Sequence, residues 1–281
     1  MYSVCGLRTC HNTLLTRSVQ SRVGISIGSV WYCGFDCFAV AAAKLLSTVP
    51  GGGILEMPHR PRLSIGLALL SKGYLTEKQL RFAIGHSKVT GETLEATLTR
   101  LGLANERQLA VARAVQWGYP VLGQDRGNYT AESDVPLSLL RSYSAVTMHS
   151  FAAAKRLLMG FVHRVDYSLL NSVEQITGFR AEPCFVTATD VAEQMERLSA
   201  NPLVDEVLFE DAKTSTQMGK TLAALAVDIA AREARFAHCR DYAWIRLSGK
   251  HETIDALFRT RREQNERPAD RQIFRGAQSL G

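Results

Sequence analysis

This 281-residue chain lacks the marks of several common functions. It has no uninterrupted apolar run of bilayer-spanning length. The nearest candidate, Val23 to Ala43, follows Arg8, Arg17 and Arg22 as a signal peptide or anchor would, but Asp36 breaks it and Gly24, Gly28 and Gly34 dilute it. A carboxylate at that depth costs about 3 kcal/mol on insertion. A complete phosphate-binding loop is also missing. Gly219-Lys220-Thr221 matches only its end, the glycine due five residues earlier is Thr214, and Asp211, Lys213, Ser215 and Gln217 stand where an apolar strand should lead in. Nucleotide hydrolysis is not expected there. His86, His149 and His163 are scattered, with no Cys, Asp or Glu spaced to complete a metal site or triad. Aromatic residues make up 8% of the chain, and no basic–aromatic interleaving surrounds Trp117 or Trp244, which read as core or interface anchors. Of the six cysteines, Cys5 and Cys10 are widely spaced, Cys33 and Cys37 fall in an apolar run, and Cys184 and Cys239 read as small buried hydrophobes. No metal, no cofactor and no catalytic centre are therefore expected, and the chain does not read as an enzyme.

What is present is ordinary for a folded protein: 46% hydrophobic and 21% charged residues, enough for two or more domains. The net charge of +6 is unevenly placed. Residues 57–118 hold nine Lys and Arg against four Asp and Glu, a net +5, whereas 119–200 come to −2. That stretch either favours an anionic partner (a nucleotide, an acidic protein surface, nucleic acid) or is a solvated basic face. Nothing beyond charge points to nucleic acid.

The basic stretch contains one pattern written twice, 29 residues apart. Leu69, Gly73, Leu75, Thr76, Glu77, Gln79 and Leu80 recur as Leu98, Gly102, Leu103 (one position early), Asn105, Glu106, Gln108 and Leu109. Gly73 and Gly102 suit the left-handed position after a helix, where a Cβ is costly. Thr76 and Asn105 suit helix N-caps, with Gln79 and Gln108 three residues on to complete capping boxes. Each copy predicts a short apolar helix, a turn and a second helix. One pair alone cannot bury its apolar face, so a four-helix unit of two stacked hairpins is expected.

The rest of the chain divides around this unit. Residues 1–61 read as a poorly structured extension, with Gly51-Gly52-Gly53 at its boundary and Met57 as an alternative start; 62–118 are the helical unit, and Gly118 to Pro136 a polar linker. Within 136–200 the pattern predicts a helix at 137–143, strands at 145–149, 156–163 and 180–186, and helices at 168–177 and 189–198, the last capped by Thr189. That alternation makes a small α/β sandwich. Residues 201–258 read as a shorter α/β segment: a helix over 218–232, strands at 234–239 and 242–247, and a short helix at 251–258. Residues 259–281, rich in Arg, Glu, Gln and Asn, read as a disordered tail. The fold class expected is α+β.

The doubled motif, standing as Ser71-Lys72-Gly73-Tyr74-Leu75-Thr76-Glu77-Lys78-Gln79-Leu80 and Leu101-Gly102-Leu103-Ala104-Asn105-Glu106-Arg107-Gln108-Leu109, is closed by Trp117-Gly118-Tyr119-Pro120 and followed by Ile176-Thr177-Gly178-Phe179-Arg180-Ala181-Glu182-Pro183. From about Arg62 to Leu198 this order resembles the N-terminal domain of bacterial type II secretion and type IV pilus assembly ATPases, the GspE and PilB class. Residues 221–258 resemble, more faintly, the start of the second N-terminal domain of those proteins; the ATPase core is not in the sequence given. The resemblance implies a non-enzymatic adaptor or regulatory module, cytoplasmic or peripheral at the inner membrane. Its protein partner would be a component of the secretion or pilus inner-membrane platform, met by a basic–apolar face near Arg81, Arg100, Arg107 and Arg113. One branch of the family binds cyclic di-GMP through this motif, each copy opening Arg-Leu-Gly and closing with Gln. By that resemblance Arg62, Gly66, Leu69, Gly73, Leu94, Leu98, Arg100, Gly102 and Gln116 are the candidate ligand positions, and a cyclic di-GMP sensor is the alternative function. Here, however, the copies open Ser64-Ile65-Gly66 and Thr93-Leu94-Glu95, so both arginines are absent and Arg62 or Arg100 would have to substitute.

Overall fold

The computed structural model describes residues 4–10, 24–48, 63–122, 129–130, 132–211 and 214–260. The expectations placed on Met57, on Gly51-Gly52-Gly53, on Arg62 and on the tail beyond residue 260 lie outside these residues. The first described elements form a hairpin, β1 (Ile25–Ile27) and β2 (Val30–Tyr32), which turns at Gly28 with φ of +57°. Positive φ at a two-residue hairpin turn is where glycine costs least. Helix α1 (Phe35–Ser47) follows.

The helical unit comprises α2 (Ile65–Ser71), α3 (Glu77–Thr90), α4 (Leu94–Arg100) and α5 (Glu106–Trp117). Its two copies are built alike. Ser64 caps α2 by accepting from the Leu67 amide, and Thr93 caps α4 by accepting from that of Ala96. Thr76 with Gln79, and Asn105 with Gln108, form complete capping boxes on α3 and α5. Gly73 and Gly102 take φ of +69° and +65°. The main helix contacts run between copies, α2 on α5 and α3 on α4. They enclose a core of Ala68, Leu69, Leu75, Leu80, Ala83, Leu98, Ala104, Leu109 and Ala112, in which each fully buried leucine contributes roughly 2 kcal/mol.

The remaining elements are α6 (Leu137–Ser142), β3 (Ala145–Phe151), β4 (Arg156–Phe161), α7 (Tyr167–Thr177), β5 (Arg180–Phe185), α8 (Ala188–Ala200), β6 (Asp205–Phe209), α9 (Ser215–Asp228), β7 (Glu233–Cys239), β8 (Tyr242–Ser248) and β9 (Thr253–Arg259). The cap of α8 is Thr187, in a capping box with Asp190, two residues earlier than Thr189. Among the described residues the architecture is α+β with two sheets. One is three-stranded, in the order β3-β4-β5, with β4 antiparallel to β3 and parallel to β5. The other is six-stranded, in the order β2-β1-β7-β8-β9-β6. Alternate residues of β8 and β9 serve opposite faces of this larger sheet. Trp244 and Leu257 join the core shared with α7 and the smaller sheet, while Ile245, Ala256 and Phe258 join the core beneath α1 and α9.

Two expectations are corrected. Residues 24–48 are not a poorly structured extension: β1 pairs in parallel with β7, α1 packs along α9, and Ile25, Phe38 and Ala42 are fully buried. Of the glycines that dilute the apolar run, Gly28 takes the hairpin turn, Gly24 lies against the Trp31 ring and Gly34 is the N-cap position of α1. Residues 253–259 are strand, not helix. β9 is a central strand, paired with β8 on one side and β6 on the other; Ala256 and Phe258 are buried on one face, and Leu257 and the Arg246-paired Asp255 on the other, so burial does not alternate along it.

Candidate functional site

The candidate ligand positions in the repeat are mostly occupied with holding the helices together. Leu69 and Leu98 are fully buried and Leu94 packs against them. Gly66 is needed for packing, since a Cβ there would lie 2.8 Å from Leu80 Cδ1 and 3.4 Å from Leu94 Cδ2. Gly73 and Gly102 are set by their positive φ, with open space where a Cβ would stand. The Gln116 side chain donates to the Leu63 carbonyl at 2.7 Å, fastening α5 to the chain entering α2. Arg100 is exposed and reaches Glu92 at 3.0 Å, with His86 Nδ1 at 3.3 Å. Glu95, at the position where the family's motif has glycine, faces Arg113 instead.

The four arginines expected on one docking face separate. Arg81 is exposed on α3, paired with Glu77 at 2.5 Å. Arg107 turns inward and donates to the Leu122 carbonyl. Arg113 is only 5% exposed, so it is corrected from a surface contact to a buried tie: it reaches Glu95 at 2.7 Å and His163 Nδ1 at 3.3 Å, joining α5 to α4 and to the segment after β4. Sequence spacing placed these residues on helices, but which side of α5 meets the sandwich depends on contacts some fifty residues away.

The most exposed apolar side chains of the unit lie on α3. Leu80 and Ala83 point into the core, leaving Phe82 at 61% and Val89 at 87% exposure, seven residues apart on one side of the helix. Lys78, Arg81 and Lys88 are exposed on the same helix. The Phe82 ring meets His86 edge-on, 6.2 Å between centroids. Large apolar side chains grouped in a basic surround mark an interaction surface more readily than single exposed residues do.

Chemistry elsewhere is sparse. Gly219 sits inside α9 against α1, where a Cβ would come 2.4 Å from the Ala39 carbonyl oxygen, so it belongs to a helix crossing. Burial pushes the Cys184 and Cys239 thiols up to about 12, as expected of inert core cysteines. His149 lies between Tyr129 and Phe151, at 5.4 and 5.8 Å. Trp244 is fully buried and Trp117 packs on Phe185. The groove lined by Val135, Leu137, Leu198, Leu203, Asp205 and Glu206 presents two carboxylates, of which Glu206 already accepts from Ser138.

At the N-terminal end the structure departs from the sequence reading. The four sulfurs of Cys5, Cys10, Cys33 and Cys37 all lie within 4.8 Å of one another. Cys10 to Cys33 is 3.5 Å and Cys33 to Cys37 is 3.7 Å, well beyond a bonded S–S length of about 2.05 Å. Cys5 and Cys33 are buried. The signal was present in the sequence: the spacings Cys-x4-Cys and Cys-x3-Cys both fall in the range of about two to four intervening residues that metal sites use. The surrounding apolar run concealed it.

No family model matches the chain. Over 121 residues it is 26% identical to the type IV pilus assembly ATPase PilB of Thermus thermophilus, a match covering 42% of this chain and 14% of that protein. Similar solved structures include MshE with cdg, at 24% identity and a TM-score of 0.39, covering 48% of this chain and 99% of that one. The N-terminal domain of XpsE is another, at 21% identity and a TM-score of 0.37, covering 50% and 99%. The curated match is thus to part of a type IV pilus assembly ATPase, within the class that the doubled motif resembles, and the chain spans about one seventh of that protein's length. Among the described residues no helix is long and apolar enough to cross a membrane.

Proposed function

We propose that the chain is a non-enzymatic adaptor or regulatory module, related to the N-terminal region of type II secretion and type IV pilus assembly ATPases, whose two stacked helical hairpins dock an acidic protein segment. The observation that carries this reading is the α3 face, where Phe82 and Val89 stand exposed among Lys78, Arg81 and Lys88. An anionic partner would be drawn to those cations, and the apolar pair would supply the desolvated centre that such interfaces use. By relation to the ATPase class, that partner is a cytoplasmic segment of the inner-membrane platform.

The second reading, a cyclic di-GMP sensor, draws on the retained glycines and leucines of the repeat and on MshE, solved with cdg. Its support is weaker in the side chains. Gly66, Leu69 and Leu98 are accounted for by packing, Gln116 is tied to Leu63, and Arg100 already holds Glu92. Calorimetry on the full chain separates the two. The adaptor reading expects no saturable heat with cyclic di-GMP, together with salt-sensitive binding of an acidic platform segment that is lost in the Phe82→Ser, Lys88→Glu double variant. Saturable micromolar binding of cyclic di-GMP, lost in Arg100→Ala, would reverse the order of the two readings.

A further inference from the structure

We propose that Cys5, Cys10, Cys33 and Cys37 hold one zinc-class divalent cation as a closed tetrathiolate site that pins the N-terminal segment to the edge of the six-stranded sheet. This inference is independent of the docking reading. Its basis is geometric. A tetrahedral ion with bonds of about 2.3 Å to sulfur sets neighbouring sulfurs about 3.8 Å apart. The structure has Cys10 to Cys33 at 3.5 Å, Cys33 to Cys37 at 3.7 Å, and every other pair of the four within 4.8 Å. A multi-iron cluster, whose cysteines bind different irons, needs its thiolates farther apart than this. One ion fits between the four sulfurs.

The backbone around the cluster is arranged to bring two distant pairs together. Cys33 directly follows β2, and Cys37 lies in the first turn of α1, whose N-cap position is Gly34. The other pair sits on the segment 4–10, which is laid beside β2 by a hydrogen bond from the Gly6 amide to the Trp31 carbonyl at 2.8 Å. The approach is so close that a Cβ on Gly6 would stand 2.2 Å from Val30 Cγ1. A turn closed by the Cys10 amide on the Leu7 carbonyl, at 2.8 Å, then returns Cys10 to the cluster. A short segment with few apolar side chains has little else to fix it there. Cys5 at 6% and Cys33 at 2% exposure form the dry side of the site, while Cys10 and Cys37 are half-buried.

With four protein ligands no position remains for water or substrate, so the role is structural. Binding one cation displaces up to four thiol protons to solvent, and the ion then couples the order of residues 4–10 and of the β1–β2 hairpin to metal supply.

The test uses the full chain purified under reducing conditions without chelator. Elemental analysis is expected to find close to one equivalent of zinc per chain. After removal of the metal, titration with cobalt(II) is expected to saturate at one equivalent and to give the strong visible absorption of tetrahedral cobalt thiolate. Cys33→Ser and Cys10→Ser should lose the metal, whereas Cys184→Ser and Cys239→Ser should retain it. If Cys33→Ser fails to fold, the cobalt titration of the unaltered chain still decides, as does a fall in its melting temperature on adding chelator. Reduced protein with no zinc and no cobalt absorption would overturn the proposal. So would intact masses short of two or four hydrogens in protein never exposed to oxidant, since these would mean disulfides in place of an ion.

Discussion

Replacing Gly219 by alanine tests whether α1 is a packed part of the molecule, because the two possible environments of that glycine give effects of opposite sign. In the structure the new Cβ would lie 2.4 Å from the Ala39 carbonyl oxygen and 3.0 Å from both the amide nitrogen and the Cβ of Ala43. Those are backbone or short, rigid groups, so α1 and α9 would have to part by about 1 Å, and overpacking of this kind costs about 1–3 kcal/mol. Alanine's better helix propensity returns about 1 kcal/mol. The net expectation for Gly219→Ala is a loss of about 1 kcal/mol, and for Gly219→Val, which gains less from propensity, about 3 kcal/mol. Urea unfolding of the full chain reads this as a lowered midpoint at unchanged slope. Were α1 a loose extension, Gly219 would be on an open helix face and the alanine variant would gain about 1 kcal/mol. A midpoint that rises in Gly219→Ala refutes the packing of α1 on α9.

Other expectations follow from single contacts. Asp255→Asn weakens the buried fork in which Arg246 holds Asp255 at 2.7 and 2.9 Å; breaking such a pair costs about 3 kcal/mol even though Asp134 still accepts from Arg246, and chemical denaturation measures it. Thr76→Ala removes the α3 capping box and should lower stability by about 1 kcal/mol. Phe82→Ser, at an exposed position, should change stability by less than about 0.5 kcal/mol, so a loss of partner binding in that variant is not a folding effect. Burial holds the His238 pKa below its ordinary value. Its neutral form is therefore the one the fold favours, and its contribution is complete above the unfolded-state pKa of about 6.5 and falls away as pH drops below it. Stability measured against pH should be less steep on the acid side in His238→Gln than in the unaltered chain.

The helical unit was the most legible part of the chain because its signals are local. A capping residue, a glutamine three positions on and a glycine past the helix end are set within one or two turns, and the caps at Thr76 and Asn105 stand where the sequence placed them. The larger sheet was not legible in the same way. Its strand β1 pairs with β7 about two hundred residues later, and nothing in Ile25-Ser26-Ile27 identifies that partner. Burial on both faces likewise hid β9, where Asp255, Ala256, Leu257 and Phe258 are buried in succession with no period of two. At the candidate site, sequence placed the arginines on the right helices but not on the right sides: Arg113 is drawn inward by Glu95 and His163, and only the packing of α5 decides that. The cysteine quartet depends on a hairpin and a helix start folding against the segment 4–10, a tertiary arrangement that spacing alone only hints at.

The docking claim is tested most directly by placing a photo-crosslinking residue at position 82, at 89 and, for comparison, at the exposed Val115 of α5, in the full chain in its native cells. The account predicts an adduct from positions 82 and 89, but not 115, with one protein through an acidic segment, and loss of that adduct when Arg81 and Lys88 are reversed to glutamate. Equal adducts from all three positions, or an adduct indifferent to the charge reversal, would contradict it.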